Sequence, residues 1–235
     1  MATLPVETGH DAAPLPALWE GRREYPEQDI QPERYRVKTR TFESATESVQ
    51  SIQGLILAVR AARWLPAAAA PDDAAPPPTQ CELVAPGQGR WVLEPDNPLS
   101  PTEPRECATC PMNQWGSAGA GRRGKACREK RLLLVLRDGE AIPIVVVAPP
   151  TSLAAVARFV TRVAARRLHL PQVKVRMTVQ PTRRGAEEWG LLQIEELGLA
   201  TEAELAAVGA LLAEGPVGQM FQAWTSRPVH QDAAL

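Results

Sequence analysis

The 235-residue chain is 44% hydrophobic and carries a formal net charge of −1. That composition suits one globular domain with extensions, or two small domains. No apolar run nears the ~20 residues that span a bilayer, and the opening MATLPVETGHDAAPLP has neither the basic nor the apolar stretch of a secretory signal, so a cytoplasmic protein with no membrane partner is expected.

Charge is unevenly spread. Residues 122–131 hold six Lys or Arg against Glu129, whereas residues 187–214 hold seven acids and no Lys or Arg. Such polarity can steer a polyanion, although two ordinary solvated faces would read the same way.

In chain order, residues 1–33 are rich in Pro and acid and lack periodicity, which predicts a disordered or loosely attached arm. The dense apolar run SIQGLILAVRAARWL, 51–65, reads as a strand or strand pair, with an Ala-rich end that a helix would also accept. The low-complexity PAAAAPDDAAPPPT, 66–79, predicts a long exposed loop. CELVAPGQGRWVL opens at Cys81 and is broken by Gly87 and Gly89, a hairpin pattern. RLLLVLRDGEAIPIVVV places two apolar runs around Asp138-Gly139, a second hairpin stopped by Pro149 and Pro150. Thr151 or Ser152 is placed to cap a helix reaching about Arg167, with Leu153, Val156, Val160 and Val163 on its core face and Arg158, Arg162 and Arg166 on another. QVKVRMTVQ alternates strictly, with Val173, Val175, Met177 and Val179 inward. A last strand is expected over 189–197. A helix follows with a Thr201–Glu204 capping box, an apolar face of Leu205, Val208 and Leu212, and a stop at Gly215. The fold class is therefore mainly β with helices, α+β. A helix between the third and fourth main strands matches the order of an OB-type Greek-key barrel, and a generic α+β sandwich gives a similar string.

The four cysteines are Cys81, Cys107, Cys110 and Cys127. Cys107-x-x-Cys110 on a turn can aim two thiolates at one ion about 2.3 Å away; Cys127 and Cys81 complete a tetrahedral set suited to structural Zn2+. His10 or His169 could stand in for Cys81, and an Fe–S cluster could use the same four sulfurs. No His-x-Glu beside a Pro-Cys-x-x-Cys, no His-Glu-x-x-His, no Gly-x-Ser-x-Gly and no Walker loop is present, so no enzyme is expected.

A metal at these cysteines would clamp both ends of the Gly-rich segment between Cys110 and Cys127, as metal binding organises small zinc modules. The segment presents Arg122, Arg123 and Lys125, flanked by Arg128 and Lys130. Arg60 and Arg63 end the first apolar run; Lys174 and Arg176 lie on the polar side of an alternating strand. Trp64, Trp91 or Trp115 could supply the ring on which a base stacks. Positive charge plus an aromatic platform is what single-strand binding requires. Each part also has a plain reading: Trp115 packed on the knuckle, the arginine stripe a wet helix face.

Cys107, Cys110, Pro111, Asn113, Gln114, Trp115, Gly116, Ser117, Lys125, Ala126 and Cys127, with Pro150, Thr151 and Ser152 opening the helix, resemble the pattern of phage-encoded and prophage single-stranded DNA-binding proteins. The resemblance covers about a quarter of the chain. It implies an OB-type domain with a zinc-binding insertion and a role in DNA replication, recombination or repair in a bacterial host cell; on the residue pattern that domain is expected over 34–215, the insertion over 81–127 and a tail over 216–235. Single-stranded DNA would be the partner, with replication or recombination proteins beside it. The ending QDAAL lacks the acidic run of many single-strand binders. The alternative expectation is a zinc-stabilised protein–protein interaction module, which the low aromatic content of 5% favours.

Overall fold

Among the described residues the chain runs through β1 (Arg34–Val37), β2 (Phe42–Glu43), β3 (Ser48–Val49), β4 (Ser51–Trp64), β5 (Gln80–Ala85), β6 (Gln88–Val92), β7 (Arg105–Glu106), β8 (Arg128–Arg137), β9 (Ile144–Ala148), helix α1 (Leu153–Ala165), β10 (Val173–Arg184), β11 (Glu187–Leu199) and helix α2 (Glu202–Ala213). The structure is a computed structural model that describes residues 32–64, 80–85, 88–92, 105–119, 124–213, 217–219 and 221–222. The expected Ala/Pro loop lies outside these residues, as do nearly all of the N-terminal arm and most of the tail.

The architecture is mainly β with few helices, and its sheet curls into a half-barrel. Strand order is β3-β2-β1-β9-β8-β4-β5-β6-β7, and β10 joins β4 to β11. Neighbours pair antiparallel except β1 and β9, which run parallel with Arg34 opposite Val145. The pairing extends one bond further, as the Val145 amide donates to the Glu33 carbonyl at 2.8 Å.

Alternation decides which side chains meet inside the curl. In β10, Val173, Val175, Met177 and Val179 are buried and their neighbours half-exposed. In β8 both faces are covered, which is why it reads as an unbroken apolar run. Leu133 and Val135 face the inner core with Phe159, Ile56 and Tyr35. Leu132, Leu134 and Leu136 face an outer core with Leu55, Leu57 and Val208 of α2. Helix α1 turns Val156, Phe159 and Val163 inward. Its start differs from the expectation: a 3-10 turn over Pro150–Ser152 precedes it and Ser152 makes no cap bond. The buried Ser152 hydroxyl instead accepts the Leu192 amide of β11 at 3.0 Å, which ties helix to strand. The α2 capping box forms: the Thr201 amide donates to Glu204 Oε2 at 2.8 Å, and the Glu204 amide to Thr201 Oγ1 at 3.2 Å. Gly89, expected in a turn, is a residue of β6. The β8–β9 connection spans 138–143, longer than a two-residue hairpin, with Gly139 at φ 79.

Two glycines set the close approaches. Gly54 in β4 has φ +150, and a Cβ there would stand 2.0 Å from the Leu136 carbonyl oxygen. Gly190 in β11 abuts the end of β1, where a Cβ would stand 1.8 Å from the Lys38 carbonyl oxygen. The second approach sets the edge strand β11 against the end of β1. Tyr35 holds β1 from the other end. Its hydroxyl donates to Glu47 and, at 3.2 Å, to Glu33, and Arg137 lies over its ring at 5.2 Å. Burial pushes the Tyr35 phenol well above its ordinary range. No helix among the described residues is long and apolar enough to cross a membrane.

Gly190→Ala is expected to cost about 2 kcal/mol or more, at the upper end of overpacking, because backbone rather than a movable side chain occupies the space. Gly209→Ala, in α2 with nothing within 4 Å of the new methyl, should gain about 0.5–1 kcal/mol from helix propensity. Urea unfolding midpoints of the two variants, shifted in opposite directions, check both.

Candidate functional site

The fourteen residues of β4 reach past the barrel. Its first residues pair with β10 on one edge, from Ser51 opposite Thr178 to Leu55 opposite Lys174. Its far end pairs with β5 on that same side, Arg63 opposite Cys81. The other edge pairs with β8 along its length, ending with Trp64 opposite Arg128. Cys81 and Cys127, which immediately precedes β8, are thereby drawn to the two sides of Arg63.

The turn after β7 brings the other two cysteines. A 3-10 turn, Pro111–Asn113, follows Cys110. The Cys127 amide donates to the Met112 carbonyl at 2.8 Å and the Gly116 amide to the Gly124 carbonyl at 2.8 Å, closing the loop on itself. Side chains finish the knuckle. Asn113 Nδ2 donates to the Cys107 carbonyl at 2.6 Å, Gln114 Nε2 to the Ala108 carbonyl at 2.7 Å, and Ser117 Oγ to the Gln114 carbonyl at 2.7 Å.

All four cysteines are buried, free thiols that line one small cavity with Arg63, Gly89 and Asn113. The cavity measures ≈ 10 Å³, room for one atom-sized occupant. Cys81 and Cys127 share a hydrogen bond: it is the chief cause that brings the Cys127 thiol down to about 6 and holds the Cys81 thiol far above its ordinary range. Burial opposes the shift at Cys127. Arg63 reinforces it, with Nη1 donating to Cys127 Sγ at 3.7 Å and to Asn113 Oδ1 at 3.0 Å. Burial raises the Cys107 thiol.

Four sulfurs with no oxygen or nitrogen ligand among them suit a thiophilic divalent ion. Among the described residues no group of three or more His, Cys, Asp or Glu side chains already stands in metal-holding geometry. Any metal held here would take the place of the proton that Cys81 and Cys127 share, since metal ligation requires deprotonated sulfurs.

Beside the sulfurs lies a much larger cleft of ≈ 1460 Å³. One wall is the cysteine lobe, with Asn113, Ala118, Lys125 and Arg128. The other is the tip of the β10–β11 hairpin, with Arg184, Glu187 and Trp189, and Lys38 and Thr151 lie between them. Arg63, Asn113 and Cys127 border both the cleft and the sulfur cavity.

The residues singled out from the sequence fall into distinct places. Arg63 is 15% exposed and turned to the sulfurs, with Glu129 at 3.6 Å. Lys125 and Arg128 line the cleft and are exposed. Trp115 stands 78% exposed on the knuckle, outside the cleft lining. Arg60 is opposite Leu132 in the strand register. Lys130 is half-buried, and burial together with Arg36 and Arg128 lowers its ammonium from the ordinary value. Trp64 and Trp91 stand opposite Arg128 and Cys81 in register. Arg122 and Arg123 lie outside the described residues. Lys174 is engaged by Glu204 at 2.8 Å and Asp138 at 3.2 Å, and Arg176 by Glu195 at 3.5 Å. Their face of the barrel is thus internally compensated.

Sequence reasoning passed over Lys38, Arg184 and Trp189. The signal for the last two was present: Gly185-Ala186 is a two-residue link with Gly185 at φ 62, between strands that pair Arg184 with Glu187 and Arg183 with Glu188.

No protein-family model, curated protein or solved structure matches this chain. The chemistry of the site therefore rests on its own residues.

Lys174 and Glu204 generate a pH prediction. Burial alone would raise the Glu204 carboxyl, but the Lys174 ammonium and the Thr201 bonds outweigh it and bring it below its ordinary 4.5. A carboxyl lowered in the folded state stabilises above its unfolded value and loses that contribution as pH falls through the folded one. Glu204→Gln, which keeps an oxygen for the capping box, is expected to lower stability at neutral pH by up to about 1 kcal/mol, mostly through the lost charge pairing with Lys174. Its urea midpoint should vary less than that of the parent between about pH 5 and pH 3.

Proposed function

We propose that the protein binds single-stranded DNA in the cleft between the cysteine lobe and the β10–β11 hairpin, on an OB-type barrel stiffened by a structural zinc ion. The observation that carries this reading is the place of the cleft in the strand order. Antiparallel pairs β4–β8, β8–β9, β4–β10 and β10–β11, with α1 between β9 and β10, support a reading as a Greek-key barrel of the five-stranded OB type. On that reading β1 is a wedge between β9 and β11. The cysteine lobe is then the insertion between the first two barrel strands, and the hairpin tip is the link between the last two. These are the loops with which OB folds bind oligonucleotides.

The charges agree with a polyanion. Lys38, Lys125, Arg128 and Arg184 border the cleft. Contacts to phosphate carry no sequence information, so binding is sequence-tolerant. The four sulfurs are the zinc ligands, and the ion's contribution is structural: it holds the turn at Pro111–Asn113 against the start of β8, and with it the cleft wall. The protein acts by binding in the cytoplasm, in replication, recombination or repair of DNA, and no catalytic step is assigned to it.

A second reading has one observation in its favour. Trp115 is exposed on a well-tied knuckle outside the cleft, which suits a zinc-stabilised module that docks a protein partner.

Fluorescence anisotropy with labelled single- and double-stranded oligonucleotides, over a salt series, separates the two. Preference for the single strand is expected, with log affinity falling by ~0.7 per neutralised phosphate against log salt. Equal affinity for both forms removes the single-strand reading, and no binding to either favours the docking module. Cys110→Ser should lower bound zinc and melting temperature together; unchanged zinc stoichiometry would exclude Cys110 as a ligand.

A further inference from the structure

The two walls of the cleft differ in chemistry. On the cysteine-lobe wall the acid Glu129 is already engaged, by Arg63 at 3.6 Å and by Arg131 at 2.7 Å. Lys125 and Arg128 remain there as exposed cations. On the hairpin wall Arg184 stands opposite Glu187 in register. Glu188 pairs with Arg40 at 3.2 Å. That wall has no surplus of positive charge, yet among the described lining residues it holds the cleft's aromatic ring, Trp189.

Trp189 is also firmly rooted. It belongs to β11, opposite Thr182 of β10. Its neighbour Gly190 rests directly on the Lys38 carbonyl. A half-buried ring fixed on a strand is better pre-organised for stacking than one on a loop. Stacking needs an exposed base face, which a duplex conceals within its own stack and a single strand offers.

We infer that recognition is divided between the walls: Lys125 and Arg128 hold phosphates, and Trp189 is the platform for one unpaired nucleobase. The inference rests on the nucleic-acid reading of the cleft and assigns its base subsite. The wall that carries Lys125 and Arg128 shares Arg63, Asn113 and Cys127 with the sulfur cavity, so the phosphate side depends on the cysteine cluster. The Trp189 side is held by strand pairing and does not.

The test uses the full chain and two labelled oligonucleotides of equal length, a pyrimidine homopolymer and the same sugar–phosphate chain with abasic sites. Trp189→Ala should weaken binding to the pyrimidine strand about 5- to 150-fold, the range of one lost stacking contact. The slope of log affinity against log salt should not change. Trp189→Phe should recover much of the loss, which guards against a folding artefact. The abasic strand needs no variant: it should bind the parent protein more weakly than the pyrimidine strand, and Trp189→Ala should lose nothing further on it. The double variant Lys125→Ala with Arg128→Ala should instead flatten the salt slope by about 1.4, two phosphates at ~0.7 each, and keep the ratio between the two strands. Equal affinity of parent and Trp189→Ala for the pyrimidine strand overturns the assignment of the base platform, as does an equal loss on both strands. If the parent protein binds neither strand at low salt, the nucleic-acid reading itself falls.

Discussion

One edge of β4 has to serve two partners, and the arrangement of the molecule depends on that. Its first residues bond to β10 and belong to the barrel, while Arg63 bonds to β5 and belongs to the cysteine lobe. The opposite edge is held by β8 throughout. A strand so long can remain in both units only by bending. The register slips between Ile56 and Ala58, and Gly54 near its start lets β8 come within backbone contact. A bulge increases local twist and bends the strand that carries it. Beyond the slip, the far half of β4 runs to Arg63, beside Cys81 of β5.

Arg63 is the side chain at which barrel, cysteines and cleft meet. It lies under a carboxylate, a carboxamide oxygen and a sulfur at once. A guanidinium with several fixed donors suits that geometry, and Lys would not. The Cys127 sulfur and the Asn113 carboxamide both accept from its Nη1. Asn113 in turn holds the Cys107 carbonyl and receives Lys125 at 3.4 Å. Order in the small cavity and order along one wall of the large cleft are therefore physically the same order.

Much of the barrel is legible in the sequence because its causes are local. Period-two alternation marks β10, the unbroken run RLLLVL marks a strand covered on both faces, and Thr201 with Glu204 marks the start of α2. The two-residue spacing of Cys107 and Cys110 marks a knuckle, and the structure gathers Cys81 and Cys127 to it. What escaped is set by distance along the chain. Nothing near Tyr35 tells that β1 will lie parallel to β9. Ser152 looks like a helix cap and gives its oxygen to Leu192 instead. Lys174 looks like a free surface cation, yet its partner Glu204 lies thirty positions on. Arg60 and Arg63 read as a pair, although an odd separation puts them on opposite faces of a strand.

The parallel pairing of β1 with β9 sets an order of events in folding. Its partners stand roughly 110 positions apart, so β1 stays unpaired on this edge until β8 and β9 exist, and closing so long a loop is slow. Until that loop closes β9 presents an open margin, and the hydrophobic lining it shares with Phe42 and Tyr35 is shielded incompletely. During synthesis on the ribosome this margin is the place where a chaperone, or a neighbouring nascent chain, would gain its hold.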